Sequence, residues 1–199
     1  MTVETRKYEK KRRAELEAET RRRITETAVE LHGTLGPART SISAIAERAG
    51  VRRSTVYRHF PDEAALFDAC SSHWEAANPP PDIEAWSAIV DPDERLRTAL
   101  DELYAFYSRT ERMMENLHRD EATVPLVKER FAGFRGYLEA ARDVLLQGRP
   151  ERGPRRKEAR AAIGHSLAFP TWRSLTREQG LTDDQAAELM CQLLRGLTP

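Results

Sequence analysis

The sequence predicts an all-α protein, a small N-terminal three-helix domain followed by a larger helical one. Three observations lead there. Apolar residues recur at the 3.6-residue spacing of amphipathic helices along most of the chain, whereas the period-two alternation of β-branched residues that marks strands is absent. Glycines and prolines fall where such helices would end. The formal net charge of zero also hides a division. Residues 1–60 hold 14 Lys and Arg against 8 Asp and Glu, a net of +6, and the remainder holds 18 against 24, a net of −6. A basic head on an acidic body is the asymmetry expected of a nucleic-acid reader joined to something else.

The elements follow in order. Residues 1–19 are charged and nearly free of large apolar side chains, so they read as a flexible basic arm whose C-terminal half could extend a helix. A first helix is expected from about Thr20 to Leu35, with Ile24, Ala28, Leu31 and Leu35 on one stripe, ended by the glycine and proline of "GPART". A short second helix covers about Ser43–Ala49 with Ser41 as its N-cap, and Gly50 breaks it. A third runs from about Arg53 to Phe60, and a fourth from about Glu63 to Ala77 with Asp62 near its N-cap. "NPPPD", residues 78–82, is the clearest break. Beyond it, Asp91, Pro92 and Glu94 form a capping-box start for a helix whose stripe includes Leu96, Leu100, Leu103, Tyr107 and Met114. Further helices are expected over about Pro125–Gln147, about Lys157–Gln179 with a kink or interruption near Pro170, and about Asp183–Leu197 capped by Thr182. The domain boundaries expected on this reading are 1–19, 20–62 and 63–199.

The segment "SISAIAERAGVRRSTVYRHF", residues 41–60, meets the demands of a helix-turn-helix one by one. Two short helices that cross closely need a small residue at the crossing, supplied by Ala46. The tight turn needs a residue at ease with positive φ, supplied by Gly50. Ile42, Ile45, Ala49, Val51, Val56 and Phe60 give the inner faces, which leaves Arg52, Arg53, Ser54, Tyr57 and Arg58 outward on the second helix. Such a helix enters the major groove, where arginine suits guanine O6 and N7, while hydroxyl and imidazole donors suit phosphates. An ordinary helical hairpin with a charged solvent face is the blander alternative.

Residues 20–67, and above all "SISAIAERAGV" and "STVYRHFPD", closely resemble the N-terminal domain of tetracycline-repressor-like (TetR family) transcriptional regulators. The resemblance implies that Arg53, Ser54, Tyr57 and Arg58 face the groove and that Ser41, Thr55, Tyr57 and His59 touch phosphates. With Ser43 and Arg52 these make the candidate DNA-binding set. Two positions depart from the family pattern. Arg52 stands where a serine often caps the recognition helix, and Glu63 where a lysine commonly approaches phosphate. The basic arm, with Lys10, Lys11, Arg12, Arg13, Arg21, Arg22 and Arg23, is expected to make up for that lysine by reaching the DNA backbone or minor groove.

The resemblance further implies a palindromic double-stranded operator read by a homodimer, a small-molecule effector held by the helical body, and repression as the default outcome. The fourth helix is the expected pendulum between effector and head. Leu167, Leu175, Leu189, Met190, Leu193 and Leu197, with Trp172, either supply a four-helix interface between two chains or pack inside one. Trp86, Tyr104, Tyr107, Met114, His118, Phe131, Phe134 and Trp172 are the candidate pocket residues, with ordinary core as the alternative.

No HExxH, paired CxxC, P-loop or GxSxG motif is present, and Cys70 and Cys191 follow no metal-ligand spacing, so no enzyme, metal or cofactor is expected. The chain shows no apolar run near its N-terminus, so the expected setting is cytoplasmic, without a membrane partner. Two further readings stay open at this point, a non-specific architectural DNA binder and a head that serves protein contacts. Footprinting separates them, since a bounded palindrome marks a regulator, uniform coverage an architectural protein, and no protection an interaction module.

Overall fold

The computed structural model describes residues 3–196, with side chains from Tyr8 onward. Ten α-helices and no strand occur among the described residues: α1 Val3–Thr34, α2 Ile42–Arg48, α3 Arg53–His59, α4 Glu63–Ala77, α5 Ile83–Ser87, α6 Pro92–Asp120, α7 Pro125–Leu145, α8 Gly153–Ser166, α9 Phe169–Arg173 and α10 Asp183–Arg195. They form two compact units. The first holds residues 1–77 and 115–128, and the second holds 78–114 and 129–199. The division thus falls at Ala77 instead of Asp62, and the first unit takes in the last turns of α6 and the first turn of α7.

In the first unit, Ile24 and Ala28 of α1 pack with Ile42, Ile45, Ala46 and Ala49 of α2, Val56 and Phe60 around α3, and Leu66, Phe67 and Cys70 of α4. Of the positions that the helix-turn-helix reading assigned inward, Ile42, Ile45, Ala49, Val56 and Phe60 are buried and Val51 is half-buried, while Leu35, expected on the stripe of α1, lies past the helix end and is exposed. Ser41 caps α2, its hydroxyl oxygen accepting the Ala44 N–H at 3.1 Å. At the other end the Val51 N–H bonds the Ala46 carbonyl at 2.9 Å and the Gly50 N–H bonds that of Glu47 at 3.0 Å. This is a Schellman closure, which requires a left-handed residue, and Gly50 has φ 65°. Asp62 caps α4 by accepting from the Ala65 N–H at 2.7 Å.

The N-terminal segment corrects one expectation. Residues 3–19 are not a flexible arm, because α1 starts at Val3 and runs without a break to Thr34. The segment lacks an apolar stripe, but it also lacks glycine and proline and is rich in Lys, Arg, Glu and Ala, all strong helix formers. Pairs along its surface add support, Lys11 to Glu15 at 3.9 Å and Arg13 to Glu17 at 3.2 Å.

The α1–α2 connection is gripped by the end of α6. The Asn116 amide donates to the carbonyls of His32 at 2.9 Å and Gly33 at 3.0 Å, two acceptors that a helix C-terminus leaves unpaired. Arg119 donates through Nη2 to the Leu35 carbonyl at 2.9 Å and through Nη1 to Asn116 Oδ1 at 2.8 Å. Buried Asp120 accepts from Arg119 Nε at 2.8 Å and from the Ala38 N–H at 2.9 Å. Burial pushes the Asp120 carboxyl up, yet the hydrogen bonds from Arg119 and Ala38 outweigh it and leave the group below its ordinary range.

The second unit packs α5, most of α6, most of α7 and α8–α10 around aromatic side chains. Tyr107 lies 5.3 Å from Phe169 and 5.8 Å from Trp172 and Phe106, and Phe134 lies 5.7 Å from Tyr137 between ring centroids. The sequence places an interruption near Pro170, and here its consequence is visible. Proline has no N–H to give the Ser166 carbonyl, four residues back. The buried Tyr104 hydroxyl donates to that carbonyl at 2.9 Å, and the Tyr107 hydroxyl donates to the Leu167 carbonyl at 2.6 Å. The expected long helix is therefore two, α8 and α9, followed by a π-turn over Ser174–Glu178. Thr182 and Gln185 form the full reciprocal capping box on α10, at 3.2 and 3.0 Å. Buried Arg95 satisfies the carbonyls of Ile89 at 2.8 Å and Gln147 at 2.8 Å, a role that the sequence does not announce.

Candidate nucleic-acid interface

The surface is built from α3. Burial of Val56 and Phe60 fixes the rotation of this two-turn helix, and the rotation sends Arg52, Arg53, Ser54, Tyr57 and Arg58 into solvent. Arg53 is held along Tyr57, with Nη2 3.2 Å from the phenolic oxygen and the guanidinium carbon 5.5 Å from the ring centre. The hydrogen bond to Tyr57 is the main cause that raises the Arg53 pKa, and the charge of Glu63 adds to it. An arginine braced in this way loses less side-chain freedom when it meets a base edge or phosphate.

The expected phosphate contacts divide. Ser41, Ser43 and Tyr57 are exposed and Thr55 is half-buried. His59 is half-buried, and its Nε2 is shielded from solvent with no hydrogen-bond partner among the described residues. Its pKa is lowered, first by burial and then by Arg58 and Arg21. His59 is thus the expected contact least presented to a polyanion.

Both departures noted in the sequence have structural counterparts. Arg52 stands at the N-cap of α3 in extended conformation, and its side chain makes no capping bond. Glu63 is exposed at the first position of α4. A residue that sequence reasoning grouped with the arm also proves specific. Arg21 hydrogen-bonds the His59 carbonyl and places its guanidinium 4.0 Å from the Phe60 ring centre, so it ties α1 to the end of α3. The three-arginine run hides this role, because Arg22 pairs instead with Glu19 at 2.8 Å and Glu26 at 2.7 Å.

Away from the head, the candidate pocket residues do not form one set. Trp86, Tyr104, Tyr107 and Trp172 are wholly buried in the second unit, and Met114 and Phe131 are nearly so. The polar atoms of the four are spoken for. The Trp86 indole donates to Glu102 at 2.8 Å and that of Trp172 to Asp183 at 2.9 Å, in addition to the two tyrosine bonds. Phe134 is half-buried, and His118 belongs to the first unit. Of the candidate interface residues, Leu167 and Met190 are buried within the chain, Leu175 and Leu189 are half-buried, and Leu193 is 58% exposed. Leu197 lies outside the described residues.

Residues 24–70 match the family described as bacterial regulatory proteins, tetR family. Among solved structures, a TetR-like transcriptional regulator from Rhodococcus sp. RHA1 is similar at 21% identity and a TM-score of 0.64, over 89% of this chain and 95% of that one. NalD, the secondary repressor of the MexAB-OprM multidrug efflux pump in Pseudomonas aeruginosa, is similar at 21% identity and a TM-score of 0.62, over 92% and 96%. AibR, solved in complex with isovaleryl coenzyme A and operator DNA, is similar at 20% identity and a TM-score of 0.60, over 87% and 97%. No curated protein sequence matched. Likeness at these identities extends the shared fold over both units. No helix among the described residues is long and apolar enough to cross a membrane. With a helix-turn-helix that buries its apolar face and turns arginine and tyrosine outward, residues 24–70 form a DNA-binding domain of the kind found in the tetR family of bacterial regulatory proteins, and the remainder of the chain shares the fold of the solved regulators.

Proposed function

We propose that the chain is a cytoplasmic, ligand-responsive repressor that binds a palindromic operator as a homodimer and leaves it when a small molecule occupies the helical body. The observation that carries this reading is the outward face of α3, where Arg53, Ser54, Tyr57 and Arg58 stand together over a buried seam. One such face reads a half-site, and two copies related by a two-fold axis read an inverted repeat. The exposed Leu193 and half-buried Leu189 and Leu175 support pairing through the C-terminal helices. NalD is a repressor and AibR is seen with an acyl coenzyme A and operator DNA, which supports repression and an organic effector here. An effector acts to the extent that its affinity differs between the DNA-competent and DNA-incompetent forms.

Selection of bound duplexes from a random pool, repeated with candidate ligands, tests the reading. The expected result is one enriched inverted repeat, lost when the effector is present, and recovery of no inverted repeat sinks it. On the selected repeat, Arg53→Ala and Arg58→Ala should each weaken binding by about 5- to 150-fold and relax base preference at their own positions.

Ser41 separates folding from DNA contact. Its oxygen accepts the capping bond while its hydroxyl proton remains available to a phosphate. Ser41→Ala should cost about 1 kcal/mol of stability in a denaturant titration. Ser41→Asp keeps the cap but places a negative charge against the backbone. Near wild-type stability with clearly weaker DNA binding is the expected pattern, and unchanged binding would remove Ser41 from the interface.

A further inference from the structure

We propose that the N-terminal half of α1 is a second DNA-contacting element, a rigid basic strut that engages backbone phosphates beyond those met by α3. This rests on the regulator reading. The observations are the continuity of the helix, its register against α3 and the distribution of its charge.

α1 is one helix from Val3 to Thr34, so its N-terminal turns are carried by the same body that positions the recognition helix. Its register is set at Arg21, which bonds the His59 carbonyl and covers Phe60, and at Glu17, whose charge acts on His59. Positions that share this face recur about every 3.6 residues. Counting back from Arg21 leads through Glu17 to Arg13 and Lys10, both exposed. At 1.5 Å per residue they stand about 12 and 16 Å from Arg21, a reach of about four base-pair steps.

The charge along the strut is sorted by distance from the head. Nearer the head, the acidic Glu15, Glu17 and Glu19 are neutralised by Lys11, Arg13 and Arg22. Farther out, the stretch "RKYEKKRR", residues 6–13, has six basic residues and one acid, and with Lys11 and Arg13 already paired to Glu15 and Glu17 an excess of basic charge still remains. Among the described residues, neither Lys10 nor Arg12 makes an ion pair. A polyanion lying along α3 is the partner that this excess fits, because each phosphate met releases condensed counterions. Another copy of the strut fits poorly. Among the described side chains its large exposed apolar ones are Tyr8 and Leu16, 67% and 60% exposed and eight residues apart, which is too sparse for a coiled-coil seam.

The test compares full-length wild type with two variants on the selected repeat and on an unrelated duplex, across a potassium chloride series. One variant replaces Lys10, Lys11, Arg12 and Arg13 with alanine. The other carries only Lys10→Gln, at the exposed position that shares the Arg21 face, which keeps the Lys11–Glu15 and Arg13–Glu17 pairs and so protects the helix. Each phosphate that the strut no longer neutralises should reduce the slope of log K against log salt by about 0.9. With one strut on each subunit of the dimer, the expected reduction is about 2 to 4 for the fourfold variant and about 1 to 2 for Lys10→Gln, with similar weakening on both duplexes. Neutralising the exposed Arg155 and Arg156 of α8 should leave the slope unchanged. Wild-type slopes in both strut variants overturn the inference while leaving the regulator reading intact, and so does a changed oligomeric state by sedimentation. Failure of wild type itself to bind any inverted repeat overturns the regulator reading instead.

Discussion

Gly36→Ala is expected to destabilise the protein by about 3 kcal/mol or more. Gly36 has φ 93° and ψ 156°, a region of backbone space open almost only to glycine. Space is lacking as well. A Cβ there would lie 1.9 Å from Arg119 Nη2 and 2.5 Å from Asp120 Oδ2. A long arginine usually moves aside at little cost, but this guanidinium is held at once by Leu35, Asn116 and Asp120. Asp120 is in turn held by the Ala38 N–H. Alanine would have to strain its own backbone and break part of this hydrogen-bonded grip. Gly50→Ala provides the contrast. Gly50 has φ 65°, in the ordinary left-handed region, with nothing within 4 Å of an added Cβ, so about 1 kcal/mol is expected. Urea titrations of the two variants check the pair. Equal, small losses would show that the grip yields easily.

Stability should also fall by about 3 kcal/mol between pH 6.5 and pH 4 because of His32. His32 is 9% exposed at the end of α1, with Nδ1 3.5 Å from Cys70 Sγ and its ring 5.5 Å from that of Phe67. Burial is the main cause that pushes its pKa down to about 4 from 6.5, and nearby Asp120 offsets only part of it. The sign follows from proton counts. Between pH 4 and 6.5 the unfolded chain binds the proton and the folded one does not, so acid favours unfolding. The contribution is whole above pH 6.5, declines through this window and is spent below pH 4. Carboxylates with lowered pKa, such as Asp120, act lower still, as pH drops below their ordinary range. His32→Gln should flatten the stability profile between pH 6.5 and 4, as measured by urea midpoints. A slope equal to wild type would place the acid-sensitive group elsewhere.

Much of the head was legible in the sequence because its signals are local. Ser41 caps, Gly50 turns, Ala46 allows close approach, and the alternation of apolar and basic residues over 42–60 sets both faces. α4 was placed to the residue, since Asp62 and the Pro-rich break at 78–82 bound it on either side. The first turns of α1 were missed for the opposite reason. A helix that is polar all round has no apolar periodicity to read, and its support comes from propensity and surface pairs. The grip of Asn116, Arg119 and Asp120 was equally hidden. In sequence they are the polar residues of a helix end, and their partners at 32–38 lie more than 80 positions away.

What the sequence determined alone is the helical class of the chain, the helix-turn-helix and the outward set of Arg53, Tyr57 and Arg58. Each follows from spacing within a few residues, where backbone geometry leaves few options. What only the tertiary structure decided is which polar groups meet across long separations. It showed Arg21 bonded to the end of α3, Tyr104 and Tyr107 serving the carbonyls freed around Pro170, and Trp86 and Trp172 closed into core. The reason is physical. A buried donor or acceptor must find a partner, but any of many distant groups can satisfy it, and packing alone selects which one does.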